Sequence, residues 1–66
     1  MMQYLTIQSN QVEWNGQNYI LGAIDKIDSM TVHIELSGQV YCFVGGETSI
    51  NGAVCNDADA IINAIQ

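Results

Sequence analysis

Gln11-Val12-Glu13-Trp14-Asn15-Gly16-Gln17-Asn18-Tyr19-Ile20-Leu21 decides how the rest of the chain is read. Asn-Gly supplies positive φ at both central positions of a type I′ turn, whose twist matches that of the strands it joins. A two-residue turn sets Trp14 opposite Gln17 and Val12 opposite Tyr19, and directly opposed residues share one face of a sheet. Val12, Trp14, Tyr19 and Leu21 then form an apolar face. Glu13 and Asn18 point the other way.

Downstream, Met30, Val32, Ile34 and Leu36 are predicted to face inward, while Thr31, His33 and Glu35 face out. Ser37-Gly38 is a second two-residue turn, leading into Gln39–Val44. It places Tyr41 and Phe43 on the core face and sets Val40, Cys42 and Val44 beside Glu35 and His33; a one-residue bulge would exchange the two sets. Val12–Leu21 aligns without gaps on Ile34–Phe43, with Glu, Gly, Gln and Tyr recurring at matched positions. Duplication would give this likeness, and so would convergence on a common hairpin pattern. Both place the two turns alike.

Further out, Gln3–Gln8 alternates as a short strand. Gly22 to Ser29 breaks the alternation, with Asp25, Lys26 and Asp28 around Ile24 and Ile27, and reads as a connecting loop with at most one helical turn. Gly45-Gly46 ends the second hairpin, and Asn51-Gly52 is a third turn signal that would serve a short strand pair, Thr48–Ile50 with Ala53–Cys55. Asn56 or Asp57 caps a helix whose Ala58, Ile61, Ile62 and Ile65 follow i, i+3, i+4, i+7, with Asp59 at the positive end of its dipole. Such a short helix must pack on the sheet to persist. The expected fold class is α+β: one domain over residues 1–66, with an antiparallel sheet of about four strands in two β-hairpins and one C-terminal amphipathic helix packed on it.

Composition narrows the function. The chain has 66 residues, seven acidic and one basic, for a net charge of −6; 48% are hydrophobic and 12% charged, unlike disordered segments. A domain this small buries only about 60% of the surface its unfolded form exposes, which leaves little room for a closed active site. A non-enzymatic protein is expected. Lys26 is the only basic side chain, so phosphate-driven binding to nucleic acid or to an anionic membrane is not expected. The N-terminal residues show no basic and apolar leader, and no stretch approaches the roughly 18 apolar residues of a membrane span, which points to the cytoplasm. Cys42 and Cys55 are expected as reduced thiols.

His33, Cys42 and Cys55 are the only soft ligands and lack the closely spaced cysteine pairs of a structural zinc site, so no metal or cofactor is expected. His33 opposite Cys42 lacks the orienting group and oxyanion donors that a cysteine nucleophile needs. Asp57 and Asp59 are explained by the helix start. Glu13, Glu35, Asp25 and Asp28 are left as a candidate acidic surface for a protein partner with a basic face. Val40, Cys42 and Val44 make the outer side of the second hairpin too apolar for water, and small domains have little net stability of their own, so these three are the expected interface of a homo-oligomer.

In whole-chain character, being short, acidic, rich in Asn and Gln, and without a catalytic set, the sequence resembles the small phage-encoded inhibitors of bacterial defence of the anti-CRISPR kind. The resemblance is one of type and carries over no individual residue. It implies a stoichiometric inhibitor that occupies a nucleic-acid or subunit surface of its target in the host cytoplasm. Two other roles fit the same chain: an assembly subunit that homo-oligomerises through its sheet, and a small-molecule binder at an oligomer interface lined by Trp14, Tyr19, Tyr41 and His33.

Overall fold

Three two-residue turns with positive φ at both positions set the registers: Asn15-Gly16 (52° and 73°), Ser37-Gly38 (50° and 85°) and Asn51-Gly52 (52° and 84°). Asn and Gly tolerate this region at low steric cost, so the two Asn-Gly turns follow from their dipeptides; in the third, Gly38 supplies one such position and Ser37 is tied by its hydroxyl, which accepts the Ile20 N–H at 2.9 Å. The computed structural model describes residues 1–66 as β1 (Gln3–Gln8), β2 (Gln11–Trp14), β3 (Gln17–Lys26), β4 (Thr31–Leu36), β5 (Gln39–Val44), β6 (Thr48–Ile50), β7 (Ala53–Cys55) and α1 (Ala58–Ile65). Val12 stands opposite Tyr19 and Trp14 opposite Gln17. In the second hairpin Ile34 meets Tyr41, His33 meets Cys42 and Glu35 meets Val40.

The expected sheet of two hairpins is wrong. The strands form one seven-stranded mixed sheet in the order β5-β4-β3-β2-β1-β6-β7. Two features enlarge it. Ser9, with φ 56°, starts a tight turn that folds β1 back on β2, pairing Ile7 with Val12 and Leu5 with Trp14. On the other edge of β1, Thr48–Ile50 run parallel to Gln3–Leu5, and β7 adds antiparallel to β6. Parallel neighbours need a long crossover, here the whole of β2 to β5, and no local sequence signal announces it.

The segment read as a connecting loop from Gly22 to Ser29 is also corrected, because β3 continues to Lys26. Leu21 pairs with Leu36 and Ile24 with Ile34, so Gly22 and Ala23 together oppose Glu35. This is a β-bulge, and its extra residue shifts the period-two pattern by one step. Leu21 and Ile24 both turn inward across the irregularity, packing on the core. The reversal lies further on, at Ile27 to Met30, and Met30 is 41% exposed instead of inward-facing.

The sheet is curled. Trp14 on β2 meets Tyr41 and Phe43 on β5, with ring centroids 5.1 and 5.2 Å apart. In a flat sheet, strands three positions apart are separated by about 14 Å. The inner surface holds Leu5, Val12, Val32, Ile34, Leu36, Phe43, Ile50 and Cys55, and α1 adds Ala58 and Ile61 from one side. Asp57 caps the helix, its carboxylate accepting the Ala60 N–H at 2.8 Å, while the Ala58 N–H donates to the Ser29 carbonyl at 2.9 Å. The helix touches β3, β4, β6 and β7, so it bridges both arms of the curl. Full burial of Ile61 contributes roughly 1.5–3 kcal/mol to that bridge. No helix is long and apolar enough to cross a membrane.

Candidate functional site

Alternation along the strands puts one set of side chains into the curl and the other on its convex outer face. Thr6, Glu13 and Asn18 form one outer row across β1, β2 and β3. With Gln8 and Gln11 they line a shallow, wholly polar hollow. A second outer row crosses β3, β4 and β5 as Asp25, His33 and Cys42. Between the two rows, Glu35 lies over the bulge, where its Cγ and Cδ stand 3.1 and 3.0 Å from the position a Cβ on Gly22 would take. Bulge and carboxylate are coupled: the missing side chain at Gly22 gives Glu35 room to lie across β3.

The remaining acids are occupied. Asp28 accepts the backbone N–H of Met30 at 3.0 Å and of Thr31 at 2.8 Å, which ties the β3–β4 turn. Those bonds, the one from Met30 foremost, favour the ionised form and hold the Asp28 carboxyl below the usual Asp range. Asp57 is the helix cap, Asp59 pairs with Lys26 at 3.1 Å, and Glu47 pairs with the N-terminal amine at 3.6 Å. Both ion pairs are exposed and add little stability. Of the four residues expected to form an acidic surface, Glu13, Asp25 and Glu35 share the outer face with no cationic side chain bonded to them. Asp28 sits apart from them, in the turn.

Trp14, Tyr19 and Tyr41 point into the curl and pack on one another, with centroids 5.1 to 6.0 Å apart. His33 is on the opposite face, so these four residues do not line one site. The two tyrosines are held alike: each hydroxyl donates to a glutamine two residues earlier, Tyr19 to Gln17 at 2.8 Å and Tyr41 to Gln39 at 3.1 Å. Equivalent positions of the two similar hairpins therefore make equivalent bonds. No hydrogen bond joins Asp25, His33 and Cys42, and the row lies on open, convex surface.

Val40, Cys42 and Val44 lie on β5, an edge of the sheet. Val40 is 63% exposed and Cys42 is exposed, while Val44 is half-buried. Cys55 is buried, and burial pushes its thiol up, with the Asp57 carboxylate adding to the rise. Thiolate is the reactive form, so the two cysteines should differ sharply. A disulfide reagent such as DTNB is expected to titrate one thiol per native chain, and both only in denaturant, with Cys42→Ser abolishing the native reaction. Equal native rates for the two thiols would contradict the burial of Cys55.

No family model matches the sequence, and no curated protein or solved structure matches it.

Proposed function

We propose that this chain is a non-enzymatic protein-binding module that presents the outer face of its sheet to a basic surface of another protein, in the manner of the small phage-encoded inhibitors of bacterial defence it resembles. The observation that carries this reading is the division of the carboxylates. Glu13, Asp25 and Glu35 stand on one convex face without a cationic partner, whereas Asp28, Asp57, Asp59 and Glu47 each serve a turn, a cap or an ion pair. Uncompensated like charges on one surface raise its negative potential and steer a positive partner to it. The curl supports the same reading, because a convex face turns its side chains outward, toward a partner.

The test compares immobilised wild-type protein with the Glu13→Gln/Asp25→Asn/Glu35→Gln variant, both exposed to bacterial lysate at low and high salt, with captured proteins quantified by mass spectrometry. A partner held by wild type should be lost from the variant and should weaken steeply as the Debye length shrinks from about 10 Å at 0.1 M salt to about 3 Å at 1 M. Equal capture by both proteins, or capture indifferent to salt, would rule the acidic face out.

A further inference from the structure

We propose that the free edge of β5 is a docking site for a second copy of this chain, which pairs antiparallel with it about a two-fold axis at Tyr41. The inference rests on which backbone groups are spent and which are not. Leu36 and Gln39 flank a two-residue turn and so form a hydrogen-bonded pair. Alternation then directs Gln39, Tyr41 and Phe43 at β4 and turns the N–H and C=O of Val40 and Cys42 away from it. The Val44 carbonyl also points outward, but it already accepts the Glu47 N–H at 3.1 Å and the Thr48 hydroxyl at 2.8 Å. Val40 and Cys42 are thus the unspent part of the edge.

One self-pairing satisfies them fully. With Tyr41 on the axis, Val40 of each copy stands opposite Cys42 of the other and exchanges both N–H···O bonds with it. Shifting the axis to Cys42 would direct the Val40 N–H at the Val44 carbonyl, which has no lone pair left. A register is therefore selected by the molecule's own bonding.

The occupant follows from charge and from length. Gln39–Val44 contains no charged residue and no proline, and no bulge interrupts its pairing with β4, so the edge lacks the devices that keep edges apart. Two molecules of net charge −6 repel over most of their surfaces, whereas Gln39–Val44 carries no carboxylate of its own. In the proposed register Glu35 of one copy is aligned with His33 of the other, about 14 Å away across the intervening strands. The remaining sheet edge, β7, has only three residues, and a β5-to-β7 contact would be heterologous, leaving one β5 and one β7 edge of the pair unspent. A two-fold β5 pair closes on itself, and it covers Val40, the most exposed apolar side chain of the strand.

Light scattering and amide hydrogen exchange by NMR, run from micromolar to millimolar protein, test the proposal. The mass should rise from 7.2 kDa toward twice that value, and the Val40 and Cys42 amides should gain at least tenfold protection as it does. Val40→Lys should stay monomeric at millimolar concentration while melting like wild type at high dilution; if it fails to fold, Cys42→Lys serves the same purpose. A wild type that stays at 7.2 kDa overturns the proposal. So does a dimer in which the Val54 amide of β7 is protected instead, a Val40→Lys variant that dimerises as well as wild type, or protection that appears only on adding an unrelated extended peptide.

Discussion

Gly45→Ala is expected to lower the stability of this protein by about 3 kcal/mol, at the top of the usual range for forcing atoms into a packed interior. A Cβ at Gly45 would lie 2.5 Å from the Asp57 Cα, 2.7 Å from the Asn56 carbonyl oxygen and 2.8 Å from the Asp57 nitrogen. All three are backbone atoms, so no rotamer change relieves the clash. The segment that must move contains the helix cap, and with it the Ala60 and Ala58 bonds that fix the start of α1. Native domains are stable by only about 0.05–0.15 kcal/mol per residue, so a loss of this size removes a large share of the total. It corresponds to a fall in melting temperature of roughly 12–24 °C, at about 4–8 °C per kcal/mol for domains of this size. Gly46→Ala is the control. Gly46 has φ +81° and open space around its Cα, so Ala there meets only the left-handed backbone cost of roughly 1–2 kcal/mol. Thermal melts followed by circular dichroism would decide, and a Gly45→Ala protein as stable as Gly46→Ala would refute the steric account.

Phe43→Ala should be larger still, at about 3–5 kcal/mol, the usual cost of emptying a fully buried aromatic site. Phe43 is 1% exposed and lies edge-on to Trp14 at 5.2 Å. Its loss removes a contact between β5 and β2, so the variant should lose the near-ultraviolet signature of fixed aromatic packing as well as stability. Phe43→Leu refills most of the volume and should cost no more than about 1.5 kcal/mol. Val40→Ala, on the exposed side of the same strand, should change stability by less than about 0.5 kcal/mol. Similar melting temperatures for Phe43→Ala and Val40→Ala would mean that the curl does not depend on the aromatic contact.

How much of this was legible in the sequence differs from element to element. The Asn15-Gly16, Ser37-Gly38 and Asn51-Gly52 turns are each marked by a dipeptide ending in Gly, whose missing Cβ admits positive φ, and each register they fix follows by counting outward. For the same reason Glu13, Glu35, Tyr41 and Phe43 could be assigned a face. The Gly22–Ala23 bulge could not be read, because one extra residue inverts the alternation and looks like the end of a strand. Parallel pairing of β1 with β6 left no local mark, since Gln3–Leu5 and Thr48–Ile50 depend on each other only through space. At the candidate site, the outward placement of Glu13 and Glu35 was readable from register. That Asp28 ties its own turn and Asp59 takes Lys26 depended on backbone geometry and on the position of the helix.

The parallel pair also bears on the order in which the chain can become itself. Asn51 reaches back across 44 positions to bond both the N–H and the carbonyl of Ile7, at 2.8 and 3.2 Å, alongside the β1–β6 ladder. Every hairpin in the molecule closes locally, whereas this join pairs the two neighbouring strands most separated in sequence and bears the greatest loop-closure entropy. Until residues 48–55 have been synthesised, β1 is a border strand whose outer hydrogen bonds only water can satisfy. The last third of the chain is therefore less an addition to a finished domain than the piece that turns its first strand from a margin into an interior.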